Sequence, residues 1–194
     1  MKRIGEIVVA ALLLTAGCMT CPHPDSDGWG DVFNKDLSNA TCAKPGWAWD
    51  KDGYLVPGTG ETLFSKKDYK NFVLDLAYVM DPTANSGVFL YDTDHPKYKF
   101  EVQILDDHHP CYSNEVPYQL TGAIYGRCAP KKVASRPAGE LNRMTCWCEG
   151  SRVRIVVNGE LATKERTLTL DALDGIAAYT VEPLYASGTT LIVR

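Results

Sequence analysis

In the run 98–105, apolar and polar side chains alternate as far as Ile104, and this constrains the fold more than any other stretch of the chain. The apolar positions are Tyr98, Phe100, Val102 and Ile104, and the polar positions between them are Lys99, Glu101 and Gln103. A period of two residues predicts a β-strand with one dry face and one polar face. Beyond the strand come the densest proton-handling side chains of the sequence, Asp106, Asp107, His108 and His109. We therefore predict the functional site along this polar face and at this end of the strand.

Short strand-like runs follow one another along the rest of the chain, separated by turn signals roughly every ten residues. The predicted strands cover residues 54–56, 61–64, 72–80, 87–91, 98–105, 144–149, 152–157, 175–181 and 189–193. Asn158-Gly159 is a strong signal for a tight hairpin turn, whereas only residues 65–70 suggest a turn of helix. This pattern predicts an all-β sandwich or jelly roll.

The length and charge of the chain narrow its class and its partners. Its 194 residues suffice for one well-buried domain, and 45% hydrophobic with 23% charged residues is an ordinary globular composition. The formal net charge is −4, and the sequence carries no cluster of Lys and Arg. Because such a cluster is needed to neutralise phosphates, the sequence argues against a nucleic-acid partner or an anionic membrane surface.

The N-terminus is typical of an export signal, because a basic start leads into the apolar residues 7–14 and then into TAGC, which ends at Cys18. TAGC resembles the lipobox of bacterial lipoproteins, in which the cysteine becomes the lipidated N-terminus. We expect residues 1–17 to be a signal peptide, residues 18–28 a tether and residues 29–194 a single jelly-roll domain. The protein would then be a periplasmic or cell-surface lipoprotein held at the outer membrane by its lipid. Plain cleavage and release is the alternative.

The cysteines fit export, since disulfides persist outside the cytoplasm. Of the seven, Cys18 is assigned to the lipid, which leaves Cys21, Cys42, Cys111, Cys128, Cys146 and Cys148. Sequence cannot choose among their pairings, but we expect Cys111 and Cys128 to clamp the loop between them. Cys146 and Cys148 would share one face of a strand, where disulfides to other partners are favoured over a metal half-site.

Eight short motifs occur in order along the chain and together resemble one protein family. They are WGDVFNKDL (29–37), WDKDGYL (49–55), YKNFVL (69–74), NSGVFL (85–90), FEVQILD (100–106), TGAIYG (121–126), RPAGELN (136–142) and VVNG (156–159). The set is similar to the 3-keto-disaccharide hydrolase family. The resemblance implies a concanavalin A-like jelly roll of two antiparallel sheets, secretion, and action on glycosides whose sugar carries a ketone at C3.

Three places depart from that family's usual pattern. Tyr91 stands where the family continues NSGVFL with Arg, Leu141 stands where Trp is common, and the loop 108–119 carries an extra cysteine and two prolines. The missing Arg removes a cation from the expected edge of the cleft, which bears on the substrate that the site accepts.

A ketone at C3 makes the hydrogen on C2 acidic, so the implied chemistry needs a base near C2, a donor for the enolate oxygen and an acid for the leaving oxygen. The candidate catalytic residues are Glu101, Asp106 and His108, with His109 as the other histidine. The candidate substrate-binding residues are Gln103, Tyr91, Tyr125, Arg136 and Glu140. The sequence identifies no cofactor. Asp92, Asp94 and His95 could hold a divalent cation such as calcium, but a surface turn is the favoured interpretation of these residues.

Each candidate also has a structural interpretation. Glu101 and Gln103 could form the solvated face of an outer strand, residues 106–109 a polar loop, and residues 136–142 a capped bend. The aromatic side chains could stack on a sugar or fill the core; they are Trp47, Trp49, Tyr54, Tyr91, Tyr118 and Tyr125. We expect at least one of Trp47 and Trp49 to be buried.

Functions from different classes fit the sequence. The first is an enzyme that cleaves 3-keto-glycosides or 3-keto-disaccharides by general acid/base chemistry, through elimination and hydration or through hydrolysis. The second is a non-catalytic surface module that binds carbohydrate, since the same fold can present polar and aromatic groups without chemistry. An ordinary glycosidase is a third, and it requires two carboxyl groups about 5–5.5 or 6.5–9.5 Å apart.

Overall fold

The computed structural model describes residues 30–42, 46–58, 62–69, 71–90, 100–149, 152–167, 180–184 and 189–193. The predicted signal peptide, the predicted lipidation site Cys18, the candidate sugar contact Tyr91 and the candidate calcium ligands lie outside these residues.

Twelve strands occur in the described part of the chain. They are β1 (Ala40–Cys42), β2 (Ala48–Trp49), β3 (Leu55–Val56), β4 (Leu63–Ser65), β5 (Phe72–Met80), β6 (Asn85–Leu90), β7 (Phe100–Leu105), β8 (Leu141–Glu149), β9 (Arg152–Val157), β10 (Glu160–Thr167), β11 (Thr180–Leu184) and β12 (Thr189–Val193). The only helical segments seen there are two short 3-10 turns, Pro110–Tyr112 and Pro117–Gln119. No helix in the described residues is long and apolar enough to cross a membrane. The helical turn suggested for residues 65–70 is not formed in the described residues 65–69, where Ser65 ends β4, residues 66 and 67 form a bend and residues 68 and 69 have no regular structure.

The strands form two antiparallel sheets. One has five strands in the order β1-β4-β11-β6-β7, and the other has seven in the order β10-β9-β8-β5-β12-β3-β2. Strands that are far apart in sequence pair in both sheets, as when β8 continues the large sheet beside β5, from Phe72 opposite Cys148 to Val79 opposite Leu141. This architecture confirms the predicted all-β jelly-roll sandwich.

The apolar face of β7 points into the core, as its alternation predicts. Phe100, Val102 and Ile104 are each at most 2% exposed, and they belong to one cluster with the inward side chains of β5 from the other sheet, which are Leu74, Leu76, Tyr78 and Met80. Burial of each large apolar side chain contributes roughly 1.5–3 kcal/mol. Because these apolar side chains hold one face of β7 in the core, the opposite face of the strand, which carries Glu101 and Gln103, points outward.

Cys146 and Cys148 lie on the inward face of β8 and are buried in the same core. Burial raises the pKa of the Cys146 thiol to about 12, so this thiol remains protonated at neutral pH. The residues that the structure describes contain no group of three or more His, Cys, Asp or Glu side chains that could hold a metal ion. The disulfides expected for the two cysteines are not formed, and both act here as apolar core residues.

The predicted disulfide between Cys111 and Cys128 is wrong, because both side chains are free thiols in the structure. The Cys111 sulfur lies 2.9 Å from Nδ1 of His109. The Cys128 thiol donates to the carbonyl oxygen of Ala129 at 3.7 Å. Each thiol is thus turned toward a partner in its own loop.

Candidate functional site

The outward face of β7 is recessed rather than solvated. Glu101 lies opposite Phe89 of β6, and Gln103 lies opposite Gly87. Gln103 is only 2% exposed and Phe89 only 5% exposed, and Glu101 is half-buried. Burial of polar groups costs free energy unless those groups form hydrogen bonds. A recessed polar face of this kind is typical of a ligand-binding site.

Gly87 gives Glu101 the space that its side chain occupies. A Cβ atom at residue 87 would lie 2.6 Å from Cγ of Glu101, which is closer than real Cβ contacts allow. The side chain of Glu101 therefore lies across the backbone of β6. A glycine inside a strand often marks such a close approach, and Gly87 is therefore the sequence signal from which this contact could have been inferred.

The amide of Gln103 connects Glu101 with Asn85 at the start of β6. In one orientation its Nε2 donates to Oδ1 of Asn85 at 3.1 Å. A half-turn of the amide satisfies more of its neighbours: the nitrogen then donates to Oε1 of Glu101 at 3.3 Å and to the carbonyl oxygen of Ser86 at 3.2 Å, while the oxygen faces Asn85 at 3.1 Å. A neutral donor thus orients the carboxylate of Glu101 and leaves that carboxylate an acceptor.

Residues 121–125 extend the face beyond the edge of β7. The Gly122 amide donates to the Gln103 carbonyl oxygen, and the Tyr125 amide donates to the Glu101 carbonyl oxygen, both at 2.9 Å. Between these two hydrogen bonds, Val102 and Ile124 form an antiparallel β-bridge, and both residues are buried. The backbone of Tyr125 is therefore next to that of Glu101, at the point where the segment leaves the sheet edge in a turn.

Tyr125 is held at this edge by further contacts. Thr121 anchors the segment, because its hydroxyl donates to the Leu105 carbonyl oxygen and accepts from the Leu105 amide, both at 2.9 Å. The Tyr125 hydroxyl accepts a hydrogen bond from Nε2 of Gln119 at 2.8 Å. The side chain remains 41% exposed, so it is accessible to a ligand at this edge of the sheet.

Asp106 lies at the far end of β7 from Glu101. Five residues of strand at about 3.3 Å each place the two about 16 Å apart. Asp106 is 3% exposed, and its Oδ2 accepts from the Thr83 amide at 3.1 Å. Thr83 has a left-handed backbone with φ of 66°, so Asp106 stabilises the strained turn between β5 and β6.

The two histidines after the strand diverge, and each contacts its surrounding loop. Nε2 of His108 lies 2.9 Å from the carbonyl oxygen of Ser135. Nδ1 of His109 accepts from the Cys111 amide at 3.2 Å. His108 therefore belongs to the Asp106 end of the strand, away from Glu101.

Arg136 and Glu140 also lie at the Asp106 end. Nη1 of Arg136 donates to the Leu141 carbonyl oxygen at 3.0 Å. The fully buried Asn142 closes the bend, since its Oδ1 accepts from the Arg136 amide at 2.8 Å and its Nδ2 donates to the Glu140 carbonyl oxygen at 3.1 Å. Gly139 donates to the Met80 carbonyl oxygen at 2.8 Å, which ties this loop to the end of β5. The structure thus brings Gln103 and Tyr125 to Glu101, but not Asp106, His108, Arg136 or Glu140.

Among the aromatic residues, Trp47 is buried in the core, which confirms that at least one of the two tryptophans is internal. Trp49 is half-buried, with Nε1 donating to the Asn34 carbonyl oxygen at 3.1 Å and the ammonium of Lys35 4.2 Å from its ring centroid. Phe89 is the aromatic neighbour of Glu101. The sequence did not indicate this contact, because an aromatic residue in a strand more often fills a core.

A second polar cluster, on the outward side of the large sheet, escaped the sequence interpretation. Asp75 is 4% exposed; Nε of Arg143 donates to both of its carboxylate oxygens at 3.1 Å, and Nη2 donates to Oδ2 at 2.9 Å. The Thr145 hydroxyl adds a bond to Oδ1 at 2.6 Å. Both oxygens of the Asp75 carboxylate are thus hydrogen-bonded to Arg143 and Thr145 of the same sheet, which favours a structural role over a catalytic one.

Comparison with known proteins identifies a matching family and similar solved structures. The model of the 3-keto-alpha-glucoside-1,2-lyase-like domain matches residues 28–180. A crystal structure of a candidate glycosyl hydrolase from Parabacteroides distasonis is similar with 26% identity and a TM-score of 0.73, over 84% of this chain and 94% of that chain. A second from the same organism has 19% identity and a TM-score of 0.69, over 81% and 87%.

More distant structures share the fold alone. The carbohydrate binding module CBM66 from Bacillus subtilis has 9% identity and a TM-score of 0.55, over 83% of this chain and 97% of that chain. A comparison with curated proteins finds no match. The family model spans well over half of the sequence and confirms the resemblance seen in its motifs, so the chain belongs to the 3-keto-alpha-glucoside-1,2-lyase-like domain family.

Proposed function

We propose that this protein is a glycoside-cleaving enzyme that acts on sugars with a ketone at C3 and breaks the glycosidic bond by elimination. The description of its family names a 1,2-lyase of 3-keto-α-glucosides, and a similar structure is that of a candidate glycosyl hydrolase. The observation that carries the proposal is the position of Glu101: a half-buried carboxylate that lies across Gly87, beside the Gln103 amide and next to Tyr125.

The reaction needs a base, a donor to the enolate oxygen and a proton source for the leaving oxygen, and it needs no oxidant. Glu101 takes the proton from C2, and the electron pair of that C–H bond forms an enolate with the C3 carbonyl. The enolate then forms the C1–C2 double bond as the C1–O bond breaks, and the leaving oxygen takes up a proton. The products are the free aglycone and an unsaturated 3-keto sugar, to which water can add across C1 and C2 to give the free 3-keto sugar.

The geometry favours elimination over ordinary two-carboxylate hydrolysis. Hydrolysis requires a second carboxyl group about 5–9.5 Å from the first. Asp106, the carboxylate that follows β7, lies about 16 Å along the chain from Glu101 and accepts a hydrogen bond from the Thr83 amide. Elimination instead needs a donor for an oxyanion, a role that suits the Tyr125 hydroxyl, while the Gln103 amide orients Glu101.

The test is the release of 4-nitrophenol from its 3-keto-α-glucoside and from the unoxidised α-glucoside. We expect turnover of the keto compound only, and loss of that turnover in Glu101→Gln. Glu160→Gln is the matched control, because it makes the same change in a surface ion pair with Lys132, at 3.0 Å. Equal activity on both glucosides, or full activity of Glu101→Gln, would overturn the proposal.

Binding without chemistry is the second candidate function. The neighbouring amides of Gln103 and Asn85 are groups that bind sugar hydroxyls without any titration. A binding module would keep its affinity in Glu101→Gln, measured by calorimetry with the same 3-keto-glucoside, and would show no turnover in the wild type.

We also propose that the protein is exported and anchored to the outer membrane through lipid on Cys18. The apolar run and the TAGC sequence before and at Cys18 support this. Cys18→Ser should move the protein from the membrane fraction to the soluble fraction after cell lysis. An unchanged membrane fraction would contradict lipidation at this residue.

A further inference from the structure

The hydrogen bond between Gln119 and Tyr125 has a definite direction. Oε1 of Gln119 accepts from the Val116 amide at 3.4 Å, which turns Nε2 of the same side chain toward Tyr125. An amide nitrogen donates and does not accept. In the 2.8 Å contact the Tyr125 hydroxyl oxygen is therefore the acceptor.

A phenol has a single hydroxyl hydrogen, which is consequently not used in the bond to Gln119. It must point away from Gln119. Tyr125 is 41% exposed, and its backbone amide is bonded to the Glu101 carbonyl oxygen. The Tyr125 hydroxyl is thus a donor that is available to a ligand beside Glu101.

Backbone hydrogen bonds hold both partners. Gln119 ends the 3-10 turn Pro117–Gln119, and its amide donates to the Val116 carbonyl oxygen at 2.8 Å. The Gly126 amide donates to the Tyr118 carbonyl oxygen at 3.1 Å, which joins this turn to the segment that carries Tyr125. A donor fixed before the substrate arrives avoids reorganisation during the reaction, and this is how oxyanion holes gain their effect.

We propose that Gln119 is a positioning residue that fixes the Tyr125 hydroxyl as the donor to the C3 oxygen of the substrate, where negative charge develops as Glu101 takes the C2 proton. This inference rests on the proposed function. C3 is bonded directly to C2, so a donor beside the base lies close to the oxygen that becomes the enolate. The Tyr125 hydroxyl keeps its proton throughout and donates a hydrogen bond.

The decisive variant is Gln119→Glu, which replaces the donating nitrogen by an accepting oxygen and so turns the Tyr125 hydrogen away from the substrate. We expect kcat on the 3-keto-glucoside to fall about 100-fold with little change in KM, because one oxyanion donor is lost. Tyr125→Phe should cause a similar loss. The double variant should lose no more than the larger single loss, since both changes remove the same donor.

Gln119→Ala should cost less than Gln119→Glu, because the hydroxyl is then free to rotate and can still donate. Asn114→Asp is the matched control, since it adds the same charge at an exposed position of the same loop. A thermal melt of each variant shows whether the fold is retained.

The outcomes separate this inference from the proposed function. A wild type that does not cleave 3-keto-glucosides would overturn both. A wild type that cleaves them, with Gln119→Glu as active as Asn114→Asp, would overturn the role of Gln119 alone. A loss seen with a methyl aglycone but absent with 4-nitrophenol would show that Tyr125 protonates the leaving oxygen, which would overturn its assignment to C3.

Discussion

Glu101 of β7 lies so closely over Gly87 of β6 that a Cβ at residue 87 would be 2.6 Å from Glu101 Cγ. The carboxylate that the proposed reaction depends on is therefore positioned by a residue without a side chain. Glycine occurs at this position of the NSGVFL motif because Glu101 leaves no space for a side chain. Its backbone conformation does not require glycine, since β6 is a regular strand there.

Gly87→Ala should displace Glu101 and lower kcat by about 100-fold, because a shift of about 1 Å in a catalytic group has effects of that size. Overpacking should also reduce the free energy of unfolding by about 1–3 kcal/mol. Gly30→Ala is the control, since nothing lies within 4 Å of a Cβ at that position. The measurements are turnover of the 3-keto-glucoside and denaturant unfolding. Unchanged turnover in a folded Gly87→Ala protein would contradict the role given to Glu101.

Asp106 is expected to matter for stability rather than for chemistry. Asp106→Ala leaves the Thr83 amide without its acceptor, and loss of a buried partner reduces the free energy of unfolding by about 1–3 kcal/mol. Asp106→Asn keeps an oxygen for that amide and should retain turnover within a few-fold. The exposed Asp81 in the same turn provides the control variant, Asp81→Ala. Loss of turnover in a folded Asp106→Asn protein would restore Asp106 to the list of catalytic groups.

The fold could be predicted because its signals are local, whereas much of the site depends on distant contacts. The alternation around Phe100 and Val102 predicts β7 and its buried face without knowledge of any other strand. Proximity in sequence misleads for Asp106, because an extended chain separates it from Glu101 by about 16 Å. The bond from Gln119 to Tyr125 arises from a 3-10 turn that packs against a sheet edge, and no periodicity marks it.

The hydroxyl of Tyr78 is the one buried side-chain polar atom in the described residues for which the structure provides no hydrogen-bond partner. Removal of such a group eliminates a desolvation penalty. Tyr78→Phe should therefore leave the melting temperature unchanged or raise it. Tyr112→Phe is the matched comparison and should be destabilising by about 0.5–1.5 kcal/mol, because the Tyr112 hydroxyl donates to the Thr83 carbonyl oxygen at 2.8 Å. A marked destabilisation by Tyr78→Phe would show that its hydroxyl is bonded in solution.

Cys146 should make the protein less stable at alkaline pH. Burial raises the pKa of this thiol from 9.0 to about 12, so above pH 9 the unfolded chain releases the proton while the folded chain retains it. The contribution of this thiol is fully present below pH 9 and is lost as the pH rises toward 12, by at most about 1.4 kcal/mol for each pH unit. Cys146→Val should flatten the fall in the free energy of unfolding between pH 9 and 11, measured in denaturant. Cys111→Ala removes an exposed thiol instead and should leave the pH dependence of the free energy of unfolding as in the wild type. If Cys146→Val shows the same pH dependence as the wild type, the alkaline loss of stability comes from other groups.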